Sequence, residues 1–354
     1  MYSSKRLRVL SVLGAAVLLA AASPGSPASP QSPASPESAA SVAGDAVSTQ
    51  SSAKNGDAPP SFDVPATPGH PLTLVVYGDT RFSRRGGDIA NPYARRELVQ
   101  KIADENPAAI LIGGDLVYEG RNPDDYDVYR SETAEWTSRR IPVFAALGNH
   151  EFKGCSADDP EPCLENWWTA FGGLGLRPHR WYSVRIGPEI LAVILDSDSH
   201  LKPGSEQRAW FEHEVTGTEP TVRFILVVLH YPPVRDPFYP RALDEKQVAS
   251  YLSRKARSLR AQVIVVGSHV HNYERYYRAG VTYLVSGGGG AKPVPAARLF
   301  GERSKLKTSV NYHYVRFVLD GDRLTGTMVR FDAAVDRSAD PWSEPDRFEI
   351  KAKD

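Results

Sequence analysis

The stretch LTLVVYGDTR, residues 72–81, joins a short apolar run rich in β-branched residues to a polar loop. Such a run predicts a buried strand, and the Gly-Asp that follows predicts a tight turn out of it. Four later runs have the same form: 108–112 into GGDLVYEG, 142–147 into GNHE, 223–229 into HYPP, and 262–266 into GSHVHNYER. Strands that each end in a polar loop indicate a sheet with functional loops at one edge.

Segments with helical spacing lie between these runs, at 92–105, 124–139, 204–215 and 245–259. Strands that alternate with helices favour an α/β fold. Further apolar runs at 181–186 and 190–196 indicate a second sheet, and residues 314–319 and 324–331 alternate around Asp320–Gly321–Asp322 as a hairpin does. The sequence therefore predicts an α/β fold: a two-sheet β-sandwich flanked by helices, with an additional C-terminal β-hairpin.

The N-terminus has the form of an export signal. Lys5, Arg6 and Arg8 precede an apolar run at 9–22 that closes in small residues. A membrane anchor is the alternative, but a span needs about 20 apolar residues. The next stretch is rich in Ser, Ala and Pro, which cannot bury enough surface to order itself. We expect a signal peptide at 1–22, a disordered linker at 23–69, a catalytic domain at 70–354, and a secreted or periplasmic (extracytoplasmic) protein with no membrane span.

Charge and cysteine content narrow the class of protein further. The formal net charge is zero, which gives no basic field for nucleic acid or acidic membranes. The two cysteines, Cys155 and Cys163, lie in one loop, and in an exported protein such a pair is expected to form a disulfide. Two free thiols and a zinc site are weaker alternatives.

The loops after the five strands carry side chains that bind metals. They are carboxylates, an amide, a phenol and imidazoles, with no thiolate: Asp79, Asp115, Tyr118, Asn149, His150, His230, His269 and His271. A single Asp or His of this kind is usually a turn or surface residue. Their recurrence at the same end of successive strands instead predicts one site, and this ligand set suits iron, manganese or zinc.

The five blocks GDTR, GDLVY, GNHE, LHYPP and GSHVHNYER resemble, in order and spacing, the signature of the metallophosphoesterase (calcineurin-like) superfamily. The resemblance runs from Gly78 to Arg275. Two departures resemble its purple acid phosphatase branch: Arg81 replaces the usual histidine of the first block, and Tyr118 replaces the usual second acid of the second block. In that branch the tyrosine binds ferric iron.

The resemblance implies a dinuclear centre in which the metals activate water for attack on phosphorus. The implied first metal, Fe(III), is bound by Asp79, Tyr118 and His271. The implied second metal is divalent (Fe, Zn or Mn) and is bound by Asn149, His230 and His269. Asp115 bridges the two.

Four further residues receive roles that remain open at this point. His150 either protonates the leaving group or only orients Asn149. Arg81 either binds substrate phosphate or is an ordinary surface or ion-paired arginine. Glu274 and Arg275 are expected to pair with each other in support of the site.

The function that the resemblance implies is phosphoester hydrolysis on a small molecule, by a phosphomonoesterase of purple acid phosphatase type. A phosphodiesterase acting on nucleotides or phospholipid headgroups is the first alternative, because the same site runs both reactions. The second is a non-catalytic binding protein with a decayed site. The motifs specify neither the substrate nor the oligomeric state.

Overall fold

The computed structural model describes residues 58–67, 70–199, 201–236, 239, 243–294, 312–335 and 339–353, with the backbone of residues 48–49. The signal peptide predicted at 1–22, and much of the linker predicted at 23–69, lie outside these ranges. Within them, no helix combines the length and the apolar character that a membrane span requires.

Short runs of β-branched and aromatic residues form the strands of this part of the chain. In chain order they are β1 (Ser48–Thr49), β2 (Ser61–Val64), β3 (Leu72–Tyr77), β4 (Ala109–Ile112), β5 (Val143–Ala145), β6 (Tyr182–Ile186), β7 (Ile190–Ile194), β8 (Phe224–Val228), β9 (Gln262–Gly267), β10 (Tyr273–Arg278), β11 (Val281–Ser286), β12 (Tyr312–Asp320), β13 (Arg323–Phe331) and β14 (Trp342–Lys351). The five strands expected before the polar loops are β3, β4, β5, β8 and β9, close to their predicted bounds.

Helices connect the strands. They are α1 (Pro92–Asp104), α2 (Pro123–Glu132), α3 (Ala134–Ser138), α4 (Glu161–Ala170), α5 (Glu206–Thr216) and α6 (Leu243–Lys255), with a 3₁₀ turn at Gly172–Leu174. Asn91 and Asn122 cap α1 and α2 by accepting N–H groups of the first turn, and a proline follows each cap as the first helical residue.

The described strands form two sheets. One has the order β14-β13-β12-β3-β4-β5, and the other has the order β1-β2-β6-β7-β8-β9-β11-β10. We call them the six-stranded and the eight-stranded sheet. Parallel pairing joins β3 to β4 and β5 in the first, and β8 to β7 and β9 in the second. The loops that follow these strands therefore leave each sheet at its carboxyl edge.

Alternation along the strands of the eight-stranded sheet gives it two apolar faces. Ala192 and Ile194 of β7 belong to the larger core, shared with the six-stranded sheet, whereas Leu191 and Val193 pack with Phe211 of α5 in a second core. The predicted two-sheet sandwich with flanking helices is thus confirmed. So is the hairpin, formed by β12 and β13, to which β14 adds a further strand.

Aromatic side chains fill the space between the sheets at one end. The ring centroid of Phe62, on β2, is 5.9 Å from that of Phe144, on β5, and 5.6 Å from that of Tyr182, on β6. The Tyr182 hydroxyl donates to the carbonyl of Ala145 at 2.9 Å. This contact links the two sheets directly beneath the loop that follows β5.

Two helical predictions need correction. The single helix expected at 124–139 is two helices, because Thr133 leaves helical geometry (φ −98°, ψ 14°) and its hydroxyl donates to the carbonyl of Tyr129. A hydroxyl that bonds to the preceding turn in this way often bends or ends a helix. The segment around the cysteines was expected to be a loop, but α4 begins at Glu161 and buries Trp167 completely.

The predicted linker ends earlier than expected. Residues 61–64 form β2, which pairs in parallel with β6 and buries Phe62 and Val64 while Ser61 and Asp63 are partly exposed. This alternation is a strand pattern within a proline-rich context. The expected disulfide between Cys155 and Cys163 is present, with Cα atoms 6.2 Å apart.

Candidate metal centre

Loops from both sheets meet at one point. Asp79 follows β3, Asp115 follows β4, and His230 follows β8, and all three are fully buried. Each offers one ligand atom, and these atoms lie within 4.8 Å of one another. Two carboxylates and an imidazole buried this closely form a candidate metal-binding group, because buried charges need a counter-charge.

The tautomer of His230 follows from its partners. Its Nδ1 is 3.0 Å from the Gly113 carbonyl, which only accepts, so Nδ1 carries a hydrogen and Nε2 is the nitrogen left for a metal ion. That Nε2 is 3.0 Å from Asn149 Oδ1 and 3.3 Å from Asp115 Oδ1. His269 Nδ1 is 3.2 Å away. One proton can satisfy one pair of these atoms, whereas a metal ion satisfies all four.

The protonation state of His269 suits a ligand. Burial, together with the neighbouring His230, lowers the pKa of His269 to about 3. Its imidazole is therefore neutral near neutral pH. Metals bind the neutral ring.

Asp79 and His271 form the other end of the site. Within the described part of the chain, neither carboxylate oxygen of the buried Asp79 has a hydrogen-bond partner. His271 Nε2 is 3.4 Å from Asp79 Oδ1, and its Nδ1 donates to the Lys292 carbonyl at 2.9 Å. Burial alone would lower the pKa of His271, but the Asp79 carboxylate outweighs it and leaves that pKa raised. A carboxylate buried without donors is suited to a cation.

Asp115 lies between the two ends. Its Oδ1 accepts the His150 N–H at 2.9 Å, and its Oδ2 is 3.3 Å from the Arg81 guanidinium. Burial alone would raise the pKa of Asp115, but His230, His150 and Arg81 together lower it well below its usual range. The side chain is therefore an anion near neutral pH.

The ligand loops have unusual backbone geometry. Asp79, Arg81, Asp115 and His269 have φ values of 54°, 47°, 51° and 64°. Non-glycine residues seldom adopt this left-handed region, although Asp and His do so more readily than most. Such conformations cost free energy and are concentrated at functional sites.

Glycines allow the close approach of these loops. A Cβ on Gly148 would lie 2.5 Å from Asp115 Oδ1, and one on Gly287 would lie 2.5 Å from Asp79 Oδ2. Each distance is too short for any side chain. The backbone of the glycine-rich stretch after β11 thus lies directly against the Asp79 carboxylate.

Glu151 is a site residue that the sequence analysis missed. Its buried carboxylate accepts backbone N–H groups of Asp115 (2.9 Å), Leu116 (2.8 Å), Val117 (3.3 Å) and Gly148 (2.7 Å). Burial raises the pKa of Glu151, and these donors oppose that shift by stabilising the anion. The side chain joins the loops after β4 and β5. Its place in GNHE was the available signal.

Ser197 supports the opposite side of the site, and it too was missed. Its hydroxyl accepts the N–H groups of His230 at 3.1 Å and Tyr231 at 2.9 Å. Asp196 beside it is fully buried and pairs with Arg180. The signal was the polar DSDS that follows the apolar run of β7.

Tyr118 and His150 lie next to each other beside Asp115. Their ring centroids are 5.2 Å apart, and His150 Nδ1 donates to the Tyr118 carbonyl. His150 Nε2 is 3.8 Å from Asp115 Oδ2. The backbone carbonyl of Tyr118 thus orients His150. The sequence did not identify this partner.

Arg81 points into the site. Its guanidinium contacts Asp115, and within the described part of the chain its buried Nε lacks a hydrogen-bond partner. The backbone carbonyl of Arg81 accepts from Arg95, which fixes the loop. An ordinary surface location is therefore ruled out, and the guanidinium retains an unused donor.

The expected pairing of Glu274 with Arg275 is wrong. The Glu274 carboxylate accepts the Asp236 N–H at 2.7 Å and the Tyr276 hydroxyl at 2.6 Å. Arg275 instead pairs with Asp346 at 2.7 Å. The two residues are successive on β10, and successive strand residues face opposite sides of a sheet.

Comparison with known proteins agrees with this geometry. The sequence model described as calcineurin-like phosphoesterase matches residues 72–273, more than half of the chain. No curated protein matches the sequence. The matched segment contains most of the site, from Asp79 to His271.

Several solved structures are similar to this chain. Purple acid phosphatase PPD1 from yellow lupin (Lupinus luteus) seeds is 19% identical, with a TM-score of 0.63 over 83% of this chain and 56% of the lupin protein. A dimetal phosphatase from Danio rerio is 16% identical (TM-score 0.55, 80% of this chain, 99% of that one). GAP50, the anchor in the inner membrane complex of Plasmodium, is 15% identical (TM-score 0.57, 80% and 90%). At these identities the likeness shows a shared fold.

Proposed function

Since the chain belongs to the calcineurin-like phosphoesterase family, we propose that it hydrolyses phosphoesters at a centre that holds two metal ions. The observation that carries the proposal is the convergence of Asn149 Oδ1, Asp115 Oδ1 and His269 Nδ1 within 3.3 Å of His230 Nε2. The two Asp79 oxygens, buried without donors in the described structure, fit a second cation beside the first.

The proposed ligands divide into two groups. Asp79, Tyr118 and His271 would hold one ion, Asn149, His230 and His269 would hold the other, and Asp115 would bind both. Two ions held in this way polarise phosphoryl oxygens and lower the pKa of water. The contacts of His230 with Gly113 and of His271 with Lys292 support the assignment. Each engages Nδ1 with a backbone carbonyl, so Nε2 is the ring nitrogen that can bind a metal.

Two side chains would act on the substrate itself. The Arg81 guanidinium, which is partly exposed and contacts Asp115, is placed to bind a phosphoryl oxygen. His150 is the candidate donor of a proton to the leaving oxygen. Its Nδ1 is engaged with the Tyr118 carbonyl, so that proton would leave from Nε2, on the Asp115 side of the ring.

We favour phosphomonoesters because a terminal phosphate offers several oxygens to the positive groups around Asp115. The test measures hydrolysis of p-nitrophenyl phosphate and of bis(p-nitrophenyl) phosphate by protein of known metal content, with chelated protein as the control. Faster turnover of the monoester is expected. Faster turnover of the diester would support the phosphodiesterase alternative, and no turnover by fully loaded protein would support a binding function.

Ferric iron is proposed for the site that includes Tyr118. A phenol with a pKa of about 10 stays protonated at neutral pH unless a strongly Lewis-acidic ion holds it as phenolate. Iron-loaded protein should then absorb visible light by charge transfer, and Tyr118→Phe should lose that band while retaining iron. A colourless iron-loaded protein, or a band that survives the substitution, would remove Tyr118 from the ligand set.

Export is also proposed. The charged head and apolar run at the N-terminus support it, and so does the Cys155–Cys163 disulfide, since disulfides persist mainly in oxidising compartments. Mass spectrometry of the mature protein should find an N-terminus near Ser23. Soluble cytoplasmic protein that retains Met1 would contradict the proposal.

A further inference from the structure

A second cationic position lies beside the site, at Lys153. Its ammonium is 3.4 Å from the centroid of the Tyr118 ring. Among the described residues, no carboxylate lies within ion-pair distance of this ammonium, although the side chain is only partly exposed. A half-buried cation that has an aromatic face but no anion is suited to bind one from solution.

Local contacts hold Lys153 in place. Its N–H donates to the His150 carbonyl at 3.1 Å, and its own carbonyl accepts the Arg121 N–H at 3.1 Å. Two residues further on, Cys155 is tied by the disulfide to Cys163 in α4. The loop therefore presents the ammonium from a fixed backbone, which reduces the entropy lost when a ligand binds.

Further positive charge surrounds the same ring. The Arg85 guanidinium is exposed, lies 5.4 Å from the Tyr118 centroid, and is 3.5 Å from the partly exposed carboxylate of Glu119. The Tyr118 ring in turn packs on His150. Lys153, Arg85 and His150 thus all lie next to one ring, that of Tyr118.

We propose that Lys153 and Arg85 bind a second phosphate carried by the leaving group, so that the preferred substrates are diphosphates, such as nucleoside diphosphates. The inference rests on the proposed function: the terminal phosphate would lie at Arg81 and the metal ligands, and the inner phosphate would lie beside Tyr118. Loss of the terminal group balances simply. Water oxygen bonds to the terminal phosphorus, the bridging P–O bond breaks with its electron pair on the inner phosphate, and orthophosphate, the monophosphate and a proton are released.

The test compares ADP with p-nitrophenyl phosphate, which lacks the second phosphate, in metal-loaded wild type and Lys153→Met. The ratio of kcat/KM for ADP to that for p-nitrophenyl phosphate should fall about tenfold, as expected for loss of one charge-assisted contact. Lys153→Arg should keep the ratio near that of the wild type. Arg84→Gln removes an exposed charge one residue before Arg85 and should not change this ratio. It controls for the effect of lowering the positive charge of the surface in general.

Binding is measured separately with methylene diphosphonate, which has no hydrolysable bridge, and with methylphosphonate. Lys153→Met should weaken the diphosphonate about tenfold relative to the monophosphonate. Equal weakening of both ligands, or of neither, overturns the inference even if p-nitrophenyl phosphate is turned over normally. If the wild type hydrolyses neither substrate, the proposed function fails, and the binding comparison still decides the role of Lys153.

Discussion

The two sheets contribute different kinds of side chain to the candidate site. Loops of the six-stranded sheet bring the proposed oxygen ligands Asp79, Asp115 and Asn149, and loops of the eight-stranded sheet bring the imidazoles of His230, His269 and His271. The six-stranded sheet thus supplies the negative charge of Asp79 and Asp115. The eight-stranded sheet supplies imidazoles, and backbone carbonyls orient two of them, His230 and His271. The sandwich brings together these two sets of proposed ligands, and the proposed metal centre needs both.

The difference extends to the residues that depart from the superfamily pattern. Arg81 and Tyr118 both lie in loops of the six-stranded sheet, which we call the oxygen side. The loops after β8 and β9, which carry His230, His269 and His271, are called the imidazole side. We expect that metal identity and substrate preference can change on the oxygen side without moving these histidines. The predictions below test how far the two sides are independent.

The largest effect is expected where the two sides meet. Asp115→Asn removes the buried charge that faces His230 on one side and Arg81 on the other. We expect loss of both metals and a fall in turnover of about 10³-fold, or roughly 4 kcal/mol. Metal analysis and steady-state kinetics measure the two effects, with Asp320→Asn, at the exposed hairpin turn, as the control. Full metal content with near-normal turnover would disprove the bridging role.

The residue that holds the loops of the oxygen side, Glu151, should contribute more to stability than Ser197, which holds a loop of the imidazole side. Both Glu151 oxygens are surrounded by N–H donors, so the amide nitrogen of Glu151→Gln would face two of them. We expect the free energy of unfolding to fall by about 3 kcal/mol. Ser197→Ala removes one neutral acceptor on the imidazole side and should cost about 1 kcal/mol. Urea denaturation of both variants measures the difference, and equal losses would contradict the asymmetry.

A smaller effect is expected at Arg81. Arg81→Ala should lower kcat/KM about tenfold through loss of a charge-assisted contact to phosphate, while metal content stays normal. The exposed Arg84→Ala in the same loop is the matched control. If both variants have wild-type kinetics, Arg81 serves Asp115 rather than the substrate.

The sequence predicted the strands better than it predicted their surroundings. Runs such as 72–77 and 224–228 are apolar and β-branched, so burial and propensity favour the same structure. The composition of the Ser-, Ala- and Pro-rich stretch at 23–69 predicts a linker that includes residues 61–64, but pairing with β6 makes these residues a strand. Local composition does not reveal a partner more than a hundred residues away.

The site was predicted where a motif names the side chain, and missed where the side chain acts on the backbone. Asp79, Asp115 and His230 were predicted because carboxylates and imidazoles are typical metal ligands, and the fold brings these three together. Glu151 and Ser197 accept N–H groups of distant loops, contacts that only the folded chain defines. The predicted Glu274–Arg275 pair was wrong for a related reason. The two residues are adjacent in sequence, but on a strand adjacent side chains face opposite sides of the sheet.

The aromatic cluster of Phe62, Phe144 and Tyr182 has a consequence for how this protein could be altered. It packs between the two sheets, and each sheet carries part of the proposed ligand set. Protein interiors are packed closely enough that a change of side-chain volume there shifts one layer against the other. Laboratory evolution towards a new substrate should therefore recover replacements in this cluster as well as in the loops. Hydrostatic pressure compresses the same layer, so it should change turnover although these three residues are not among the proposed ligands.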